Sequence, residues 1–269
     1  MNDVPRLIAT DLDGTVLRSD HTSSPHTRAV LAELSRRGVT IVGATGRGPR
    51  LLGLSRADVP SADFLVLAQG GFVYDCTREI AVQLTSTLIP GKHAAKAVTI
   101  VEAEVGPVRL VVENDVGDST PLVGDVLDNW PFPVPIHQLE RGVALAGDIV
   151  KAFMFSETVP APLLLDRGSG IVPPELCALT DAGVGYVEIC PPGVHKARGL
   201  ALVAKRLGVA PGEVMVFGDA TNDLSMFAWA GHAVAVANAL PPVRRAADEV
   251  TLSNDADGVA VYLERLFGL

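Results

Sequence analysis

Apolar and polar positions follow one rhythm at both ends of the chain and another in its middle. Leu7 to Thr10 is a short apolar run that opens into a polar loop, the pattern of a buried strand. Val30, Leu31 and Leu34 then recur at helical spacing; Ser24 suits the N-cap, Pro25 the first helical position and Gly38 the C-terminal stop. Residues 39–45 (VTIVGAT) read as a second strand, PRLLGLSRADV as a helix, and residues 64–69 (FLVLAQ) as a third strand before a turn at Gly70 and Gly71. The last eighty residues repeat the alternation. A helix carries Leu200, Val203, Ala204 and Leu207 on one face, the strand EVMVF runs into GDATND, and a helix starts near Asp223. Strand AVAVAN, helix PPVRRAA, strand EVTL and a final helix from about Gly258 follow. Strands alternating with helices predict an α/β fold whose parallel sheet is covered on both faces. Ligands in such sheets sit beyond the carboxyl ends of the strands, and Asp11, Thr45 and Asp219 all fall there.

Residues 83–189 break this rhythm. They hold the Pro-rich stretch PLVGDVLDNWPFPVPIH, strands such as VRLVVE and IVKAFMF, and helices near 91–105 and 160–168. The expected organisation is a discontinuous core, 1–82 and 190–269, interrupted by an α+β insertion at 83–189. No tandem repeat is evident.

Composition narrows the function classes. Nearly half of the 269 residues are apolar and a fifth are charged, which is globular composition. The net charge of −9, without a basic stripe, argues against nucleic acid as a partner. Cys76, Cys177 and Cys190 are widely spaced and form no Cys-x-x-Cys pair, so free thiols are expected rather than a zinc site. No apolar segment reaches bilayer length and the N-terminus lacks a signal-peptide pattern, so a cytoplasmic protein without a membrane partner is expected.

The chemistry gathers at the strand ends. In extended chain, residues two apart face the same way, so Asp11 and Asp13 present two carboxylates to one side while Leu12 turns away. Two unpaired carboxylates so close do not both ionise cheaply, and a divalent cation resolves the conflict. Oxygen-only ligands indicate Mg2+. GDATND adds Asp219 and Asp223 at the end of another strand. The same residues also fit plainer roles. An Asp-x-Asp-Gly-Thr segment fits an ordinary Asx turn. Thr45 fits a helix cap, Asn222 and Asp223 fit N-cap positions, and Lys196 fits a solvated helix residue. His195 reads as a surface residue beside Lys196, Arg47 fits either a contact to an anionic substrate or a solvent-facing position, and ENDVGDSTPLVGD misses the spacing of a calcium loop.

Four segments in order, DLDGT at 11–15, ATGR at 44–47, the lysine of GVHKARGLAL at 196 and GDATNDLSM at 218–226, resemble the four motifs of the haloacid dehalogenase-like phosphohydrolases. The large insertion between the second and third motifs is similar to the branch with a C2-type cap. EICPPGVHKARGLAL and AVAVANALPPVRRAADEVTLSNDADGVA resemble its Cof-type subfamily. The resemblance implies a Rossmann-like core with a mobile cap and a Mg2+-dependent phosphatase acting on a small phosphorylated metabolite, a sugar phosphate by default. It implies Asp11 as the nucleophile and Asp13 as general acid and base. The carboxylates of Asp11 and Asp219 and the backbone carbonyl of Asp13 would hold Mg2+. Thr45, Lys196, Asn222 and the backbone amides near Leu12 and Gly46 would receive the phosphate. Asp223 would hold Lys196 or a water rather than the metal. Gln69, where such chains commonly carry asparagine, and Ala197, where glycine is common, depart from the pattern. A phosphomutase on the same core, or a sensor that binds phosphorylated ligands without turnover, are the rival readings.

Overall fold

The computed structural model describes residues 4–127, 130, 135–182 and 185–269. The chain divides into two compact units: Met1–Thr45, Gly53–Thr85 and His195–Leu269 form the first, and Gly46–Leu52 with Ser86–Val194 the second.

The first unit is built on an eight-stranded sheet. Its order across the sheet is Glu249–Val250, His232–Ala235, Val214–Gly218, Leu7–Thr10, Thr40–Ala44, Phe64–Leu67, Phe72–Asp75 and Val82–Ser86. Neighbours from Glu249–Val250 through Phe64–Leu67 pair in parallel, and Phe72–Asp75 turns back antiparallel on Phe64–Leu67. The expected parallel core is thus a mixed sheet rich in parallel pairs. The antiparallel return follows a tight turn at Ala68–Gly70 in which Ala68 and Gln69 take positive φ. The strand read as reaching Gln69 therefore stops at Leu67. Leu7–Thr10, Phe64–Leu67 and Val214–Gly218 are buried at every position, as strands covered on both faces must be.

Helix Pro25–Arg36 begins as its sequence dictates. The Ser24 side chain accepts from the Thr27 amide, Pro25 fills the first turn, and Val30, Leu31 and Leu34 face the core. Helix Lys196–Leu207 ends at Gly208 in the left-handed conformation, with Leu200, Val203 and Ala204 buried. The third motif is therefore the first turn of a packed helix.

The second unit carries a six-stranded sheet ordered Ala178–Asp181, Val187–Cys190, Lys151–Phe155, Arg109–Glu113, Leu122–Gly124 and Ile136–Gln138. One face packs on helices Gly91–Val105 and Ala161–Ile171 through Val98, Leu110, Ala152, Met154 and Ile189. The opposite face carries Val111, Phe153 and Tyr186. Part of the Pro-rich stretch, residues 128–129 and 131–134, lies outside the described residues. Gly46–Leu52, which the strand rhythm assigned to the core, clusters with this unit because Arg50 and Gly46 bond to it directly. Among the described residues no helix is long and apolar enough to cross a membrane.

Candidate active site

Three neighbouring strands deliver the site. Leu7–Thr10 lies between Val214–Gly218 and Thr40–Ala44, with Thr10 opposite both Phe217 and Gly43. Their ends are level, so Asp11, Asp219 and Thr45 leave the sheet side by side at its carboxyl edge. Parallel neighbours stand about 4.8 Å apart, which brings side chains at such ends within reach of a shared ligand.

Around that edge the structure gathers the predicted acids and the lysine. Lys196 is fully buried, and its Nζ donates to Asp11 Oδ1 at 2.5 Å and to Asp223 Oδ1 at 2.7 Å. One carboxylate oxygen from each of Asp11, Asp219 and Asp223 lies within 4.8 Å of the other two. Asp223 Oδ2 also accepts from the amides of Asp219 and Ala220, at 3.0 and 3.1 Å, so this carboxylate props up the loop that carries Asp219 while it holds the lysine. Leu12 is completely buried, as the alternation requires. Asp13 keeps 38% of its side chain exposed, with Oδ1 3.9 Å from His21 Nδ1. Asp13 thus stands at the open side of the group and contributes no side-chain oxygen to the three-acid cluster.

Thr45 is buried; its amide donates to the Val66 carbonyl at 2.8 Å and its carbonyl accepts from the Gln69 amide at 3.2 Å. Asn222 Nδ2 donates to Gln69 Oε1 at 3.3 Å, and Asn222 Oδ1 is a buried acceptor with no hydrogen-bond partner among the described residues. Gly46 belongs to the second unit, where its carbonyl accepts from Lys151. His195 is exposed, in keeping with a surface role.

Two residues join the site that the motifs alone did not single out. Thr15 Oγ1 donates to Asp219 Oδ1 at 3.1 Å and lies 3.5 Å from Asp11 Oδ2, linking the two acids that come from opposite ends of the chain. Its only signal was its place in DLDGT. Gln69, noted as a departure, is buried at φ 57°, a conformation a non-glycine residue holds only when its surroundings enforce it. Gly14 explains the glycine of the same motif. Its φ is +81°, and a Cβ there would sit 2.6 Å from Asp219 Oδ2.

The electrostatics are those of an acid cluster short of positive charge. Burial is the main force holding the Asp11 carboxyl well above the usual carboxylate range; Asp223 and Asp219 add to it and Lys196 opposes it. Burial, then Asp223, push Asp219 up to about 6. Burial works against the Lys196 ammonium too, but the charges of Asp11 and Asp223 outweigh it, and its pKa is raised. Lys196 is therefore outnumbered by the three acids gathered around it.

Comparison with known proteins decides what this constellation belongs to. A family model described as haloacid dehalogenase-like hydrolase matches residues 8–117 and 169–263. The chain belongs to this family. Its resemblance to the Cof-type branch with a C2 cap stands with that match. The chain is 26% identical over 290 residues to the 5-amino-6-(5-phospho-D-ribitylamino)uracil phosphatase YwtE of Bacillus subtilis, covering 97% of this chain and 98% of that one. It is 27% identical over 272 residues to the HMP-PP phosphatase of Serratia proteamaculans, covering 96% and 94%. A solved sugar phosphatase of subclass IIB superposes with a TM-score of 0.77 at 20% identity, covering 97% of this chain and 98% of that chain, a likeness of fold. The haloacid dehalogenase-like hydrolase family thus accounts for most of the chain, and the protein is an enzyme of that family whose curated relatives include named phosphatases.

Proposed function

We propose that this protein is a Mg2+-dependent phosphatase that hydrolyses a small phosphorylated metabolite, a sugar or polyol phosphate, through an aspartyl phosphate on Asp11. The observation that carries the reading is the meeting of Asp11, Asp219 and Asp223 around Lys196, four residues drawn from three distant segments. A binding module has no need to bury a carboxylate whose charge is so poorly compensated, whereas a nucleophile gains from it.

The donor set fits Mg2+. It is all oxygen, hard and net negative, and the raised carboxyls of Asp11 and Asp219 measure the positive charge the cluster lacks. Asp11, Asp219 and the Asp13 backbone carbonyl would hold the ion, which when bound would offset the repulsion between an attacking carboxylate and the phosphoryl oxygens. Asp11 attacks phosphorus and the leaving alcohol takes its proton from Asp13, whose side chain is 38% exposed. Asp13 then draws a proton from the water that cleaves the acyl phosphate. Lys196 fixes the Asp11 carboxylate and presents positive charge to the phosphoryl group. Thr45, Asn222 and the amides near Leu12 and Gly46 would receive the remaining phosphoryl oxygens. The unpartnered Asn222 Oδ1 would accept a hydrogen bond from the substrate or its water.

The relatives support the substrate class. One is named for a phosphoribityl compound, a polyol phosphate, and another for HMP-PP. The test is release of inorganic phosphate from p-nitrophenyl phosphate, then from a panel of sugar, polyol and heterocycle phosphates, with and without Mg2+. Turnover that requires Mg2+ and is fastest on a sugar or polyol phosphate is expected. Binding of the panel without phosphate release would sink the reading in favour of a sensor, and isomerised product without free phosphate would favour a mutase.

Stability should report the metal as well. Asp219 and Asp11 have folded-state pKa values raised above the unfolded value, so the stability they contribute is fully present below about pH 4; the Asp219 part is lost as pH rises through about 6, and the Asp11 part is lost likewise as pH rises through its own raised value. Mg2+ binds the deprotonated carboxylates and competes with those protons. The rise in Tm on adding Mg2+ is therefore expected to be small near pH 5 and clearly larger near pH 7.5. Thermal melts with Mg2+ and with EDTA across that range check it; a pH-independent increment would count against metal binding at these acids.

A further inference from the structure

Between strands Phe64–Leu67 and Phe72–Asp75 the chain reverses through Ala68, Gln69 and Gly70, and all three take positive φ, 48°, 57° and 101°. Glycine or asparagine makes such a turn at little cost. Glutamine lacks that tolerance, yet it stands at the centre of the turn with 3% exposure. Strain of this kind persists only where the surroundings over-determine it, and it gathers at sites of function.

The surroundings here are the site itself. The Gln69 amide donates to the Thr45 carbonyl at 3.2 Å. A Cβ on Gly70 would collide with the His195 carbonyl oxygen, so the turn lies hard against the start of helix Lys196–Leu207. The Gln69 side chain reaches the segment that follows Asp219, where its Oε1 accepts from Asn222 Nδ2 at 3.3 Å. All of these residues belong to the first unit. A turn made only to reverse the chain has no use for a long buried amide, because an apolar side chain would fill the space without desolvating polar atoms.

What the amide does is choose which way Asn222 is turned. A carboxamide carries two N–H donors on one arm and an acceptor on the other. With Nδ2 donating to Gln69 Oε1, one N–H remains for another acceptor, and Oδ1 has no hydrogen-bond partner among the described residues. Half a turn of the Asn222 amide would set Oδ1 against Gln69 Oε1, two acceptors facing one another with no proton between them. An ionised phosphoryl group only accepts, so the arm that carries N–H is the one that can hold it.

We propose that Gln69 is a positioning residue for phosphate. Its side-chain carbonyl fixes the orientation of the Asn222 amide, so that the remaining N–H is presented to the phosphoryl group. This rests on the phosphatase reading and assigns Gln69 a part in it.

The test is Gln69→Leu in the full chain with Mg2+. Leucine keeps much of the volume and leaves the backbone bond to Thr45 in place, but removes the acceptor. The expected result is a rise of about threefold to tenfold in the inhibition constant for inorganic phosphate and in KM for p-nitrophenyl phosphate, the worth of about one hydrogen bond, with a smaller change in kcat. In an Asn222→Ala background the same substitution is expected to change neither constant, because Gln69 acts through Asn222. A melt establishes that each variant is folded at the assay temperature. Should Gln69→Leu melt too low, Gln69→Gly removes the left-handed strain along with the amide and carries the same expectation. A folded Gln69 variant whose phosphate inhibition matches the parent would overturn the proposal, and so would an effect that survives in the Asn222→Ala background. If the unaltered chain releases no phosphate, the phosphatase reading itself fails and this proposal with it, an outcome distinct from both.

Discussion

Asp11→Asn is expected to lower kcat by at least about three orders of magnitude while leaving the metal-free protein as stable as before, or more so. Asparagine keeps the shape and one acceptor for Lys196, but an amide cannot serve as the attacking carboxylate. Losing one member of a group that acts as a unit costs nearly as much as losing the group, about 10³-fold or more in kcat. The stability effect has the opposite sign. Burial and two neighbouring acids hold the Asp11 carboxyl well above its ordinary range, so the folded protein disfavours its charge. Removing that charge relieves Asp219 and still leaves Lys196 paired with Asp223 at 2.7 Å. In EDTA near pH 7.5 the variant's Tm should equal or exceed that of the parent, by about 0.5–2 kcal/mol in stability, the usual trade between activity and stability at a strained site. With Mg2+ the order should narrow or reverse, because the variant has lost a metal ligand. Single-turnover phosphate release and melts in both conditions check it. Substantial turnover by the variant would remove Asp11 from the role of nucleophile.

The parts of this site visible in the sequence are those that depend on local order. Leu7–Thr10 was legible because four apolar residues run straight into Asp11, and Ser24–Pro25 marked the start of a helix by capping chemistry alone. The acids at 11, 13, 219 and 223 declared themselves by falling just after strands. The four motifs then joined segments that periodicity could not connect.

What stayed hidden depends on contacts across the chain. Phe72–Asp75 is a short apolar run after two glycines, and nothing local says that it turns back antiparallel rather than continuing the alternation. The strained Gln69 that makes this turn is held by packing and by Asn222, 153 residues away. Arg50 and Glu113 are 63 residues apart, so no window of sequence shows that Gly46–Leu52 belongs to the second unit. Thr15 is unremarkable until Asp219 is folded against it. Lys196 is the sharpest case. Composition places a lysine in solvent, and only the assembled acids explain one with no exposure at all.

That burial makes Lys196→Met the variant with the largest combined effect. Methionine fills nearly the same volume, so the packing of helix Lys196–Leu207 is preserved and the change isolates the charge. Asp11 and Asp223 lose the cation that bonds both, and Asp219 remains beside them. Breaking a buried ion pair from one side costs about 3–5 kcal/mol, because the remaining charge has neither water nor partner. The sign of the pH dependence follows. Without the lysine, the carboxyls of Asp11 and Asp219, already raised, rise further, and groups with raised folded pKa values stabilise the fold only while protonated. The loss in Tm should accordingly be modest near pH 5 and severe near pH 7.5, the reverse of ordinary acid denaturation. Mg2+ should restore part of the stability, since it supplies positive charge to the same oxygens, but not the activity, because the ammonium that fixes Asp11 and faces the phosphoryl group is gone. Melts across that pH range, with and without Mg2+, together with phosphate-release rates, separate the two roles. A variant that melts like the parent at pH 7.5 would mean that Lys196 does not neutralise the acid cluster, and would sever the link between this buried charge and the chemistry assigned to it.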